Sequence, residues 1–272
     1  MTAENYKTKE ITVSSLIKQV TKKDKLFNGH YLLDPYQNCA LGCLYCDSTQ
    51  EKTIFIKHNA AEILEKEIKN LSRKRVIIGS VHDPYQPIEK ITGLTRTIIK
   101  LLLDHGFPLH ILTKSTLVKR DLDLFSTDDH DVCITFSVIS NEQRIVSEIE
   151  PDTPSFNQRL KIMNQFSNKG IRTGLALIPI LPCLIDDKIE SIIKQASTHK
   201  AQYMLFQHLF LKGDQKNEFL IYIKDQHPSC LNLYQKLFHD SIYPPEQYQQ
   251  LMDKKIKEIC GRYNLPTRLS VE

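Results

Sequence analysis

Short apolar runs of strand length recur along this chain, and an amphipathic stretch of helical period follows most of them; this alternation restricts the fold more than any other feature. Strands buried on both faces read as continuous apolar runs, and runs that alternate with helical patterns read as βα units. Tyr31-Leu32-Leu33, Val76-Ile77-Ile78, Leu109 to Leu112, Val132 to Phe136, Thr173 to Ile178 and Tyr203 to Phe206 fit the strand pattern. Helical patterns cover Ala60 to Leu71, Leu94 to His105, Ser155 to Asn168 and Lys188 to His199. Gly106 and Gly170 are placed as C-caps and Ser155 as an N-cap. With right-handed crossovers, these units predict an α/β fold, a partial (β/α)6 TIM-like barrel. After about Leu211 the pattern becomes mostly helical, with a final helix over 246–263. The expected division is a lead-in over 1–29, the partial barrel over 30–211 and a helical C-terminal extension of the same domain over 212–272.

Immediately after the first expected strand comes Cys39-Ala-Leu-Gly-Cys43-Leu-Tyr-Cys46, three of the chain's 7 cysteines, and no second CxxC follows. Structural zinc sites are closed by four ligands, and an iron–sulfur cube normally takes four cysteines. Three thiolates on a 4Fe-4S cube would leave one iron open to a small molecule. Two alternatives stand beside this reading: a zinc site completed by His30 or His58, and plain buried thiols. The odd cysteine count and the tight cluster argue against a disulfide framework and for reduced thiols.

Composition narrows the function classes. A net charge of +4 is well short of a strong nucleic-acid footprint, although basic stretches occur at Lys18, Lys22, Lys23 and Lys25 and at Arg73, Lys74 and Arg75. No run of membrane-spanning length and no apolar signal core is present, so a cytoplasmic protein without a membrane partner is expected.

In open parallel sheets the loops at the carboxyl ends of the strands build the active site. Those ends carry the cysteine loop, Ser80-Val81-His82-Asp83, Lys114-Ser115, Ser137 and Ser140, and Gln207-His208. Such a set can hold a zwitterionic ligand, with Lys114 facing a carboxylate, Asp83 or a hydroxyl facing an ammonium group, and serines reaching a ribose. Cys183, in the loop after the fifth strand, is a candidate hydrogen donor or an inert thiol. Cys133, mid-strand, reads as a buried apolar residue. Glu150 and Arg159 are expected to pair and prop the wall of the site. His82 is either a proton donor or cofactor contact, or a structural residue beside the Pro84-Tyr85 turn. Tyr85, Tyr203 and Phe206 are candidates for stacking on a base or for the core.

The CxxxCxxC motif, with Tyr45 before its third cysteine, resembles that of the radical S-adenosylmethionine superfamily. Further stretches resemble its spore photoproduct lyase-related branch: Asp34-Pro35-Tyr36, I-F-I-K-H-N-A, D-P-Y-Q-P-I-E over 83–89, T-K-S with R-D-L-D-L over 113–124, Glu150-Pro151 and P-I-L-P over 179–182. The resemblance implies a 4Fe-4S cluster on Cys39, Cys43 and Cys46, with S-adenosylmethionine on the open iron. It implies Tyr45 near the adenine, Lys114 and Ser137 near the methionyl carboxylate and ribose, and Ser80, His82 and Asp83 near the amino group. The activity implied is reductive cleavage of S-adenosylmethionine to a 5'-deoxyadenosyl radical that abstracts hydrogen from a substrate, with a nucleic acid as one option. An electron donor such as flavodoxin or ferredoxin is the implied partner. Where many superfamily members carry glycine-glycine-glutamate, this chain has Ser80-Val81-His82-Asp83, and no cysteine stands between Cys46 and Cys133. The competing class is a non-catalytic iron–sulfur or zinc protein used for sensing or binding.

Overall fold

A computed structural model describes residues 6–20, 26–46, 52–126 and 130–269. Lys22, Lys23 and Lys25 of the first basic stretch lie outside them. The strands in chain order are β1 (Lys7–Ile11), β2 (Lys18–Gln19), β3 (Tyr31–Leu33), β4 (Tyr36–Gln37), β5 (Thr53–Lys57), β6 (Val76–Ile78), β7 (Leu109–Thr113), β8 (Val132–Val138), β9 (Arg172–Ile180) and β10 (Met204–His208). The helices are α1 (Ala60–Glu67), α2 (Glu89–Thr92), α3 (Leu94–Asp104), α4 (Leu122–Phe125), α5 (Gln143–Ile149), α6 (Phe156–Ser167), α7 (Ile189–Thr198), α8 (Gly213–Gln226), α9 (Pro228–Leu237) and α10 (Glu246–Arg262).

Six parallel strands run in sequence order, β3-β6-β7-β8-β9-β10, and short β2 pairs antiparallel on the outer edge of β3. These are the six expected strands, and helices join them in the manner of a partial TIM-like barrel. A second, three-stranded sheet, β1-β5-β4, has no counterpart in the expected pattern. Its β1 is exposed along most of its length and carries no apolar signature.

The helix ends follow local chemistry. Ser155 closes a capping box with Gln158 at the start of α6, and Gly106 and Gly170 adopt φ of +74° and +81° just past α3 and α6. One face of the sheet packs on the helices through Leu33, Ile78, Ile111, Ile134, Phe136 and Leu175, all 1% exposed or less. At that level of burial each such side chain contributes on the order of 1.5–3 kcal/mol of transfer free energy.

The opposite, inner face is mixed: Ala176, Leu205 and Leu269 pack with Cys133 and Tyr203, beside a polar tier. His110, Thr135, Tyr203 and Cys133 form a buried chain of hydrogen bonds: His110 Nε2 to Thr135 Oγ1 at 2.6 Å, Thr135 Oγ1 to Tyr203 OH at 2.6 Å, and Tyr203 OH to Cys133 Sγ at 2.9 Å. Cys133 is therefore buried as expected, but it belongs to a polar network. Of the three aromatic candidates for base stacking, Tyr203 sits in this network, Tyr85 is buried with its hydroxyl on Asp121, and Phe206 packs against the helix-side core.

Burial lowers the His110 imidazole to about 4 from its ordinary 6.5. Because this folded value lies below the unfolded one, protons favour the unfolded chain: the stability is full above about pH 6.5 and is lost as the pH falls towards about 4, by at most about 3 kcal/mol. Thermal unfolding compared at about pH 7.5 and about pH 5 should show a smaller pH-linked loss in His110→Gln than in the wild type. Equal losses would remove His110 from the account.

Candidate active site

The cysteine loop follows β4, a few residues past the end of β3, and is clasped from three sides. Gln86 receives a bond from the Ala40 amide at 3.0 Å and donates to the Asn38 carbonyl at 3.0 Å, which brackets Cys39. Asn38 donates to the Thr53 carbonyl of β5 at 2.9 Å, and the Leu44 amide donates to Ile149 at the end of α5 at 2.9 Å. Gly42 holds φ +65°, and a Cβ there would stand 3.2 Å from the Pro151 ring, so both conformation and space favour glycine.

The structure brings Tyr45, Cys46, Ser80, Asp83, Lys114 and Ser137 around one cavity of about 190 Å³, which Gln207 also lines. Asp83 is fixed in it by Thr113 Oγ1 at 2.7 Å and the Lys114 amide at 2.7 Å, and it accepts the Tyr85 amide at 2.9 Å. Burial pushes its carboxyl up despite these donors. Ser137 donates to the Ile178 carbonyl at 3.2 Å. The Ser80 to His82 turn is held by Asp34, which accepts the His82 amide at 3.3 Å and the Ser80 hydroxyl at 3.5 Å. Other expected members have local duties. Ser115 caps the 3-10 turn Thr116–Asp121, Ser140 accepts the Glu142 amide at 3.1 Å, and His208 pairs with Asp253 at 2.8 Å.

Beneath the cysteine loop lies an ion network. Arg159 donates to Glu150 Oε2 at 2.7 Å and to the Ser137 carbonyl at 2.6 Å, so the expected pair exists and also reaches the site wall. The Tyr45 hydroxyl donates to Glu150 Oε1, and Lys114 Nζ stands 4.0 Å from that same oxygen. Burial alone would raise Glu150, but Arg159 and Lys114 outweigh it and hold the carboxyl below its ordinary value. Burial likewise opposes the charge on Lys114, and nearby Cys43, Glu150 and Asp83 outweigh it, so its pKa rises. Both ions are therefore charged at neutral pH.

Cys39 and Cys43 are 8% and 5% exposed. Burial, followed by the charge of Asp83, pushes the Cys39 thiol up to about 12, and burial takes Cys43 well above its ordinary value. Thiols so placed become thiolates only with a strong local cation, as a bound iron–sulfur cluster provides. Three sulfurs on one loop, with a cavity beside Cys46 into which Ser80, Asp83, Lys114 and Ser137 bring polar groups, fit a cluster that keeps one iron open. Among the described residues no three His, Cys, Asp or Glu side chains gather tightly enough to hold a single metal ion, and His58 is bonded to Thr12 at 2.9 Å.

Cys183 requires a correction. Its sulfur is bonded to Cys230 of α9, with a Cα–Cα distance of 5.9 Å, so in this state it carries no transferable hydrogen. It is not among the residues that line the cavity. This one disulfide was not expected, whereas Cys39, Cys43 and Cys46, the thiols expected to be reduced, are free. The structural roles of Gln86 and Asp34 were not expected from the sequence, although both stand inside the stretches that carry the resemblance, Asp34-Pro35-Tyr36 and 83–89. Their signal was a polar side chain set among prolines and aromatics.

Leaving Glu150 buried without Arg159 should be costly. Arg159→Leu is expected to destabilise the fold by about 3–5 kcal/mol in urea unfolding, and a loss below about 1 kcal/mol would contradict the role given to the pair.

The Radical SAM superfamily model matches residues 33–196. An uncharacterized protein of Mycobacterium tuberculosis is 26% identical over 254 residues, which covers 86% of this chain and 75% of its own length. Among solved structures, spore photoproduct lyase complexed with dinucleoside spore photoproduct aligns with a TM-score of 0.67 at 17% identity, over 93% of this chain and 79% of that one. A radical SAM methyltransferase from Sphaerobacter thermophilus aligns with a TM-score of 0.57 at 10% identity, over 88% of this chain and 65% of that one. At such identities the likeness is one of fold.

Proposed function

This chain belongs to the radical S-adenosylmethionine superfamily, and from that membership and the cavity's geometry we propose that it holds a 4Fe-4S cluster on Cys39, Cys43 and Cys46 with S-adenosylmethionine beside it. The bound pair would supply reductive cleavage of S-adenosylmethionine and hydrogen abstraction from a substrate. The observation that carries this reading is the shared cavity: Cys46 and Tyr45 of the cysteine loop line it together with Lys114, Asp83, Ser80 and Ser137. A sensing module would have no need for a buried lysine and carboxylate arranged for a zwitterion.

The chain's own residues bind, orient and exclude water. Lys114 offers an ammonium to the ligand carboxylate, while Ser80 and Asp83 stand on the side proposed for the amino group. Ser137 would serve the ribose. Tyr45 presents its ring to the cavity, with its hydroxyl fixed on Glu150.

An outer chamber of about 300 Å³ shares Tyr45, Cys46, Ser80, Val81, Ile178 and Gln207 with the inner cavity, which makes it the place for substrate. Its rim carries the Phe210 and Tyr243 rings, whose centroids are 5.0 Å apart, and Val81, 59% exposed. An aromatic rim suits a flat ring such as a nucleobase, so a nucleic-acid substrate is the finer proposal. One-electron delivery by a flavodoxin or ferredoxin and a cytoplasmic setting complete the reading. No helix among the described residues is long and apolar enough to cross a membrane.

The test is anaerobic. Iron and sulfide are restored, S-adenosylmethionine and dithionite are added, and 5'-deoxyadenosine is quantified with and without a short single-stranded oligodeoxynucleotide. The wild type should release it and Cys43→Ala should not, with the oligonucleotide accelerating release. No release from a wild type that carries its full cluster, with or without the oligonucleotide, would sink the enzymatic reading. Release that ignores the oligonucleotide would sink only the nucleic-acid proposal.

A further inference from the structure

Lys114 is an unusual cation for its depth. Its side chain is 18% exposed and lines the cavity, and it meets Glu150 Oε1 only at the outer limit of an ion pair, 4.0 Å. That oxygen is already taken by the Tyr45 hydroxyl, and the other by Arg159 at 2.7 Å and Thr153 at 3.4 Å. The Tyr45 ring lies 5.8 Å from the lysine nitrogen, a further weak attraction. Lys114 is thus compensated well enough to stay charged and too loosely to be committed.

We infer that Glu150 is a specificity-determining positioning residue, the counter-charge that Lys114 exchanges for the carboxylate of the incoming ligand, with Tyr45 keeping Glu150 from holding the lysine too tightly. This rests on the proposed S-adenosylmethionine site and goes further, because it assigns the discrimination between carboxylate and non-carboxylate ligands to a residue outside the cavity lining. The exchange moves no proton and breaks no covalent bond. A free ligand carboxylate at hydrogen-bond distance replaces an anion at 4.0 Å, and Glu150 remains compensated by Arg159.

The inference makes two predictions of opposite sign. In Glu150→Gln the competing anion is removed and Arg159 adds uncompensated positive charge, so a carboxylate ligand gains. In Tyr45→Phe the oxygen that faces Lys114 loses its other donor, the Lys114–Glu150 pair tightens, and a carboxylate ligand loses. The measured quantity is the ratio of Kd for decarboxylated S-adenosylmethionine to Kd for S-adenosylmethionine, by equilibrium dialysis on cluster-loaded protein of matched iron content. Contributions from the adenosine and from the cluster cancel in comparing this ratio between variants.

The ratio should rise about threefold or more in Glu150→Gln and fall about twofold or more in Tyr45→Phe. Ratios equal to that of the wild type would mark Glu150 as merely structural and overturn the inference, while leaving the proposed function standing. Shifts of the reverse sign overturn it as well. Should Glu150→Gln fail to fold, Tyr45→Phe decides alone. No binding of either ligand by the loaded wild type overturns both this inference and the reading it rests on.

Discussion

Glu150 is a carboxylate at 0% exposure, and its burial sets the terms for everything around it. An ion so deep must be paired and hydrogen-bonded or it will neutralise. Arg159, itself 1% exposed, supplies the charge and reaches on to the Ser137 carbonyl at the end of β8. Tyr45 ties the same carboxylate to the cysteine loop, and Lys114 brings in the end of β7. One anion therefore links the cysteine loop, two strand ends and α6. The arrangement of those parts, rather than any single contact, forms the cavity.

A second buried charge cluster does similar work at the neighbouring loops. Glu89 and Asp121, both at 0% exposure, are shared by Arg120, which donates to Glu89 at 2.6 Å and to Asp121 at 2.7 Å. Arg96 adds a bond to Asp121 at 2.9 Å, and Tyr36, Tyr85 and Thr95 complete the carboxylates. This locks the loop after β6 to the segment after β7, so Asp83 and Gln86 emerge from a fixed base. Gln86 then reaches the cysteine loop, and Asp83 reaches Thr113 and Lys114. Two ion clusters thus fix the loops that a helix-and-strand frame alone would leave free to move.

The six parallel strands were legible because each is an apolar run bounded by turn residues, and the main helices because their apolar positions keep a 3.6-residue period. The small sheet was hidden. Its β1 has neither pattern, and it is ordered by pairing with β5, more than forty positions away. The inner face of the barrel was hidden for a different reason: Cys133 and Thr135 alternate with Val132, Ile134 and Phe136, but all five are buried, and the polar tier that they form with Tyr203 and His110 emerges only when strands are set side by side. At the site, residue type and strand-end position were enough to bring Ser80, Asp83, Lys114 and Ser137 together. The partners that tune them were beyond reach, because Tyr45 and Glu150 meet across 105 positions and Cys183 finds Cys230 across 47.

The central claim is that Cys39 and Cys43, both buried, and the partly exposed Cys46 would hold a four-iron cluster with one iron left for a ligand in the cavity that Lys114 lines. The most direct measurement is the iron and sulfide content of anaerobically reconstituted protein, together with the electron paramagnetic resonance spectrum of its dithionite-reduced form before and after S-adenosylmethionine. The account predicts four irons per chain, lost in Cys39→Ala, and a spectrum that changes when S-adenosylmethionine is added. A full cluster whose spectrum is indifferent to S-adenosylmethionine, or iron that survives in Cys39→Ala, would contradict it.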